Sequence, residues 1–419
     1  MRRVVNPSTS RSPRSRGLLL LLGVATGVVV AMGGLFGGVL RDRGHATRET
    51  NVALAKQLTK LGLAYQQRAR LASEPALYTA SERLLERAAA LDPSNPETAA
   101  AQASLALARH QFEIALRHAQ RAKALAPNLT YNHALLGDAL IELGRYREAF
   151  AAFDRLARMR PGLAAYARVA YARELLGRPT SALEAHRLAV EAAGPRPQLK
   201  ATALAQVGEL HISTGNLDAA EREFRSALRI SPGFGSALEG LAHVQGSRGK
   251  YRVAMRLATQ AGPSGMETLG DLYLLTGRQR SADRQYAKAH EFAQREALHG
   301  VRIDLEIAEF EASHGVRLPH ALALATRAHR VRPSIEADSI LGWALTRNGR
   351  CEEARPYLNR ALRLGTQNAE AFFRRGMVDR CLGRRESAGK WFRRAISVSP
   401  HFSLLWSPVA LRYAAAYDA

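Results

Sequence analysis

Three prolines, Pro93, Pro127 and Pro161, stand 34 residues apart, and glycines at Gly144, Gly177, Gly215, Gly249, Gly277, Gly315, Gly349 and Gly383 carry the rhythm on. Both residue types end helices, so a period near 34 cuts the chain into pairs of short helical stretches. One such pair cannot bury its apolar face alone, whereas stacked pairs bury a continuous core. The spacing therefore predicts a solenoid. At 419 residues the chain exceeds one ordinary globular domain, and a repeat array accounts for that length. Ala, Leu and Arg recur while β-branched runs are scarce after residue 50, which predicts an all-α body.

Aligning the periods on the glycines exposes columns of small residues. In the first helix of each unit one column reads Ala69, Ala103, Gly137, Ala170, Gly208, Ala242, Gly270, Ala308, Gly342, Gly376. Early in the second helix another reads Ala115, Ala149, Ala182, Ala220, Ala254, Ala282, Ala321, Ala354, Ala388. Seven residues later a third runs from Ala88 to Ala395, broken by Leu156. A larger side chain at any of these positions would push paired helices apart.

With Leu204, Val207, Gly208, Ala220, Phe224, Ala227 and Pro232 in the fifth unit, and Phe372, Gly376, Ala388, Phe392, Ala395 and Pro400 in the tenth, the chain resembles the tetratricopeptide repeat family. The resemblance covers about residues 55–400. It implies a right-handed α-solenoid of about ten helix-turn-helix units, with residues 401–419 as a C-terminal capping helix starting at Ser407-Pro408. The sixth and seventh units lack the closing proline, the eighth carries an extra residue near Val316, and Gln294 to Gly300 reads as a stretched connection.

The resemblance also implies function by recognition, with the first helices lining a concave groove that holds a segment of another protein. The second, fifth, ninth and twelfth positions of each unit face that groove. They give Asp138, Tyr171, Glu174, Glu209, Glu239, His243, Glu267, Asp271 and Glu309, with Glu142 at the margin. Toward the C-terminus the same positions become Trp343, Arg347, Phe373, Met377 and Arg380, which reads as a turn to aromatic anchors. An acidic groove calls for a basic ligand segment; solvated glutamates on a helix surface would give the same pattern without a ligand. The Lys/Asn pattern with which some family members clamp a C-terminal carboxylate is missing at these positions.

The N-terminus is a separate region. Residues 1–16 hold Arg2, Arg3, Arg11, Arg14 and Arg16 without an acid, and Gly17 to Leu40 contains no charged side chain over 24 residues. At about 1.5 Å per residue such a helix spans a hydrocarbon core of about 30 Å. Residues 17–40 are therefore expected to be a single transmembrane signal anchor, followed by a linker at 41–54. The alternative is a signal peptide cleaved after Gly44-His45-Ala46, which leaves a secreted body. The basic N-terminal flank places the N-terminus in the cytoplasm and the body outside it. Gly23, Gly27, Ala31, Gly34 and Gly38 share one helical face, a spacing that permits homodimerisation in the membrane.

The formal charge is +23, from 60 basic and 37 acidic residues, and only seven of the basic residues are lysine. Anionic lipid, polymer, nucleic acid or acidic protein would all be attracted. No recognition motif accompanies the charge, so nucleic acid is not the expected partner. The two cysteines, Cys351 and Cys381, fall at the same turn edge of adjacent units, compatible with a disulfide in an oxidising compartment or with two free thiols. Catalytic signatures are missing. Gly246-Ser247-Arg248-Gly249-Lys250 lacks the strand and spacing of a phosphate loop, no His-Glu-x-x-His or Gly-x-Ser-x-Gly occurs, and the 13 histidines have no metal-ligand spacing. The expectation is a membrane-anchored binding scaffold, without enzymatic activity, metal or cofactor. The alternatives are an accessory subunit of a membrane enzyme or secretion complex, and a cytoplasm-facing adaptor for anionic partners.

Overall fold

A computed structural model describes residues 43–417, and the expectations for residues 1–16 and 17–40 lie outside them. The described residues form twenty-one α-helices and one short 3-10 turn, with no strand. The first unit pairs α1 (Arg43–Ala72) with α2 (Ala76–Leu91), the second α3 (Pro96–Ala108) with α4 (Phe112–Leu125), and the third α5 (Thr130–Glu142) with α6 (Tyr146–Met159). The fourth pairs α7 (Leu163–Leu175) with α8 (Pro179–Ala192), and the fifth α9 (Pro197–Ser213) with α10 (Leu217–Ile230). The sixth and seventh are α11 (Gly235–Ser247) with α12 (Tyr251–Gln260), and α13 (Met266–Leu275) with α14 (Gln279–Leu298). The eighth, ninth and tenth are α15 (Asp304–His314) with α16 (Leu318–Val331), α17 (Ile335–Arg347) with α18 (Cys351–Ala361), and α19 (Ala369–Cys381) with α20 (Arg385–Val398). A last helix, α21 (Ser407–Ala416), closes the array.

The described residues from Ala53 onward form one compact unit. The expected linker at 41–54 is helical from Arg43 onward, because no proline or glycine interrupts the chain between His45 and Leu61. Nor is Gln294 to Gly300 a stretched connection: α14 continues to Leu298 through strong helix formers. Among the described residues, no helix is long and apolar enough to cross a membrane.

The small-residue columns explain the pairing. All nine alanines from Ala115 to Ala388 in the second-helix column are completely buried. Gly208 lies under the ring of Phe224 so closely that a Cβ there would stand 2.7 Å from it, which ties the column's glycine to the phenylalanine sixteen residues on. Side-chain caps at Asn95, Asn216, Ser334 and Asn368 satisfy first-turn amides and fix where helices begin.

The array closes on itself. His110 Nδ1 lies 3.1 Å from the Arg302 carbonyl, the Ile335 amide donates to the Tyr146 hydroxyl, Thr366 donates to the Leu175 carbonyl, and Ser399 to that of Ile212. These partners are 192, 189, 191 and 187 residues apart, so a nearly constant offset relates the two sides. Ends of first helices in units two to five meet the loops leading into units eight to ten and into the C-terminal segment. Aliphatic side chains cross with the hydrogen bonds. Val301 and Ile303 join the core of Tyr78, Leu85 and Leu105, and Ile335 joins that of Leu135, Leu140 and Leu175. Gly144 and Gly177, both with positive φ, admit the approach: a Cβ would stand 2.3 Å from the Pro333 carbonyl oxygen in one case and 2.1 Å from that of Gly365 in the other. The solenoid is thus wound into two gyres stacked along a seam.

Candidate partner-binding wall

Several second, ninth and twelfth positions of the first helices line cavities between the two gyres. A cavity of about 370 Å³ is lined by Tyr171 and Glu174 of the first gyre and by Glu309, Glu336, Glu370 and Arg374 of the second. A neighbouring cavity of about 300 Å³ shares Tyr171 and adds Asp138, Glu142, Glu306 and Arg332; another of about 250 Å³ shares Glu174 and adds Glu209 and Phe402. Charge is sorted between helix types. The first helices α3 to α19 carry sixteen acidic and seven basic residues. The second helices α4 to α20 carry fourteen acidic and twenty-four basic. The first helices are thus net acidic and the second helices net basic, and the cavities are lined largely by first-helix carboxylates.

Most carboxylates expected to face a ligand already have a partner. Asp138 takes a bidentate pair from Arg168, with Nε at 2.7 Å, and Glu174 accepts from His186 at 2.7 Å. Glu239 accepts from Thr268 at 2.9 Å. Asp271 accepts from the Tyr286 hydroxyl at 2.8 Å and lies 2.9 Å from His314 Nε2. Burial works against the His314 imidazolium, yet the Asp271 hydrogen bond and charge raise its pKa. Glu309 and Glu370 share Arg374, whose side chain is buried. His243 bonds the His401 carbonyl at 2.7 Å, and Tyr171 stays exposed.

Glu209 and Glu267 differ: among the described residues neither forms an ion pair or hydrogen bond. Both reach solvent, but the concave wall around them thins their hydration. That loss, with Glu239 and Glu174 nearby, pushes the Glu209 carboxyl up to about 7 despite His186. Glu267 is likewise pushed up to about 7 by reduced hydration, with Asp271, Glu309 and Glu239 adding to it and His314 opposing. The Glu239 carboxyl, between them in sequence, is also raised, chiefly by burial. Among the described residues, three of the expected groove-facing carboxyls without an ion pair thus sit on consecutive first helices, α9, α11 and α13.

Two expected aromatic anchors are not open to a partner. Trp343 and Phe373 are each 1% exposed. Trp406 stands edge-on to Trp343 at 5.4 Å, and Phe402 and Trp406 lie 5.6 and 5.5 Å from Phe373. The chain's own C-terminal segment fills the groove there, because the last units would otherwise leave these rings in water. The helix of that segment begins at Ser407, where the Ser407-Pro408 pair places its start, and Ser399–Trp406 precedes it as a folded non-helical stretch.

Glu336, Glu370, Arg332 and Arg374 were not among the expected wall residues. Glu336 and Glu370 occupy the second position of their units, so the same register points to them. Arg332 sits in a loop and reaches the wall across the seam to Glu142 at 2.5 Å, for which the repeat pattern holds no signal. Cys351 and Cys381 are joined as a disulfide, with Cα atoms 6.2 Å apart, so neither is a free thiol here. Among the described residues no group of three or more His, Cys, Asp or Glu side chains is arranged to hold a metal ion.

Comparison with known proteins agrees with the repeat register. Tetratricopeptide-repeat family profiles match residues 135–197, 201–234 and 341–400. Cellulose synthase 1 operon protein C of Komagataeibacter xylinus is 32% identical over 170 residues, 39% of this chain and only 12% of that protein's length. Among solved structures, the human IFIT1 dimer with m7Gppp-AAAA is 20% identical with a TM-score of 0.46, covering 69% of this chain and 68% of that one. A thermophilic TPR protein of Thermus thermophilus is 20% identical with a TM-score of 0.38, covering 50% of this chain and 99% of its own. The chain carries tetratricopeptide repeats within an all-helical body.

Proposed function

We propose that the chain is a non-enzymatic scaffold whose acidic inner wall holds a basic segment of another protein, and that residues 17–40 tether it to a membrane with the repeat body on the extracytoplasmic side. The observation that carries the binding reading is that, among the described residues, no cation pairs with Glu209 or Glu267 on a wall whose other carboxylates are nearly all partnered. Gathering carboxylates on one poorly hydrated surface is unfavourable. A guanidinium or ammonium group entering between α9 and α13 relieves that repulsion and gains charge-assisted hydrogen bonds. The basic exterior repels a cationic partner from everywhere else, which favours the wall as its destination.

The test is titration of a fluorescein-labelled oligo-arginine peptide against the full chain and against Glu209→Gln with Glu267→Gln. These substitutions leave the Asp271–His314–Tyr286 cluster intact. Saturable binding weakened about tenfold or more in the double variant supports the wall, at about 1.4 kcal/mol per factor of ten. Equal binding by both proteins would sink it.

A second reading has one specific observation behind it. The partial likeness to a protein named for a cellulose synthase operon favours an accessory role beside a polysaccharide-synthesising membrane enzyme. In that case the basic segment belongs to a subunit of such an enzyme, and co-purification with it is the expected result.

A further inference from the structure

The segment from Ser399 to Trp406 joins α20 to α21 without regular structure, yet it touches both gyres. On the first-gyre side Ser399 Oγ donates to the Ile212 carbonyl at 2.9 Å, and His243 Nε2 meets the His401 carbonyl at 2.7 Å. Leu404 is 7% exposed and sits in a core made by Ala242, Ala254, Ala258, Leu269 and Leu272. Gly246 makes room for it, since a Cβ there would come within 2.9 Å of the leucine. On the second-gyre side Phe402 and Trp406 pack on Phe373 and Trp343. Two serine bonds hold the bend between these contacts: Ser407 Oγ accepts from the Ser403 amide at 3.0 Å, and Ser403 Oγ from that of Trp406 at 3.2 Å.

This crossing differs from the others along the seam. Those at Ile335 and Thr366 lie between repeats that continue on both sides. Ser399–Trp406 is followed by one helix of ten residues, α21, which packs through Ala410, Ala414 and Tyr413 on the last unit, so this crossing involves a terminal element and no further repeat. It also borders the acidic wall, because Phe402 lines the same cavity as Glu209 and Glu370. Among the described residues Trp406 Nε1 is buried without an acceptor, so its bound position carries an unmade hydrogen bond.

We propose that Ser399–Trp406 is a clasp: it holds the second gyre against the first, and its release opens the seam beside Glu209 and admits a partner to the acidic wall. The gyres are stiff stacks, so loss of the terminal crossing shifts load onto the remaining ones and raises the population of a seam-open form. The clasp itself stands on the seam geometry; only its role in admitting a partner rests on the acidic-wall reading.

Hydrogen exchange on the full chain carrying Leu404→Ser with Trp406→Ala tests the clasp without a ligand. The reporters are the amides of Arg302, bonded to the Arg109 carbonyl, and of Ile335, bonded to the Tyr146 hydroxyl. Both are expected to exchange about tenfold faster or more, while α10 keeps its protection. Acceleration confined to residues 399–416, with both reporters unchanged, overturns the clasp. If α10 also loses protection, Leu404→Ala alone, which withdraws the plug without placing a hydroxyl in the core, is read by the same criterion. The oligo-arginine peptide then tests entry: faster association with the opened variant supports the gate, and an unchanged rate with an opened seam overturns it. A peptide that binds neither protein refutes the acidic-wall reading and leaves the exchange result to decide the clasp.

Discussion

The hydroxyl oxygen of Tyr146 accepts the amide hydrogen of Ile335 at 2.7 Å, although 189 residues separate them. Tyr146 opens the second helix of the third unit, and Ile335 opens the first helix of the ninth. Their contact is buried, and with the Arg363 guanidinium 5.3 Å from the tyrosine ring it marks the middle of the seam. Burial, the largest influence, raises the tyrosine's pKa to about 12 even though the Ile335 bond and Arg363 oppose it, so the hydroxyl stays protonated.

Tyr146→Phe keeps the ring and removes the acceptor. A buried amide left unpaired costs about 1–3 kcal/mol, so chemical denaturation is expected to show a loss in that range. A loss below about 0.3 kcal/mol would mean that water reaches the Ile335 amide and that the seam is not closed there.

Two glycines separate backbone strain from seam contact. Gly177 and Gly277 have similar positive φ values, +67 and +73, but only Gly177 faces another gyre, with the Gly365 carbonyl oxygen 2.1 Å from where a Cβ would be. Alanine at Gly277 should cost about 1–2 kcal/mol for the left-handed conformation alone. Alanine at Gly177 should cost clearly more, because the seam must also part. Equal costs in parallel urea titrations would remove the evidence for close contact.

The Cys351–Cys381 disulfide links α18 to α19 and encloses the loop whose Thr366 bonds the Leu175 carbonyl. A cross-link spanning 30 residues stabilises by about 2–4 kcal/mol, largely by restricting the unfolded chain. Thermal unfolding with and without reductant is expected to show a lower midpoint for the reduced protein. Two titratable thiols in the unreduced, denatured chain would refute the pairing.

Binding of a basic peptide should weaken on acidification. Glu209 and Glu267, both raised to about 7, are ionised at about pH 8 and largely protonated at about pH 6. The sign for the fold is opposite. A carboxyl whose pKa is higher folded than unfolded binds more protons in the native state between the two values, so its contribution to stability falls as pH rises through that window. Peptide affinity that is constant from about pH 8 to about pH 6, measured by anisotropy, would exclude these two carboxylates from the site.

The helix-turn-helix order, the unit boundaries and the small-residue contacts were legible in the sequence because each depends on residues within about 34 positions of one another. Ala220, Phe224 and Gly208 announce their packing by spacing alone. The same register puts Glu209, Glu239 and Glu267 at groove-facing positions of their first helices, so an acidic face is an expectation that spacing alone supplies. What surrounds those side chains was not legible. The seam arises from small rotations between successive units, summed over more than five of them until the offset near 190 residues brings Tyr146 to Ile335. No local pattern encodes that sum. For the same reason Trp343 and Phe373 occupy groove-facing positions yet are closed off: their register is local, whereas the cover over them, Phe402 and Trp406, is set in place by tertiary contacts that also reach His243 and Leu272.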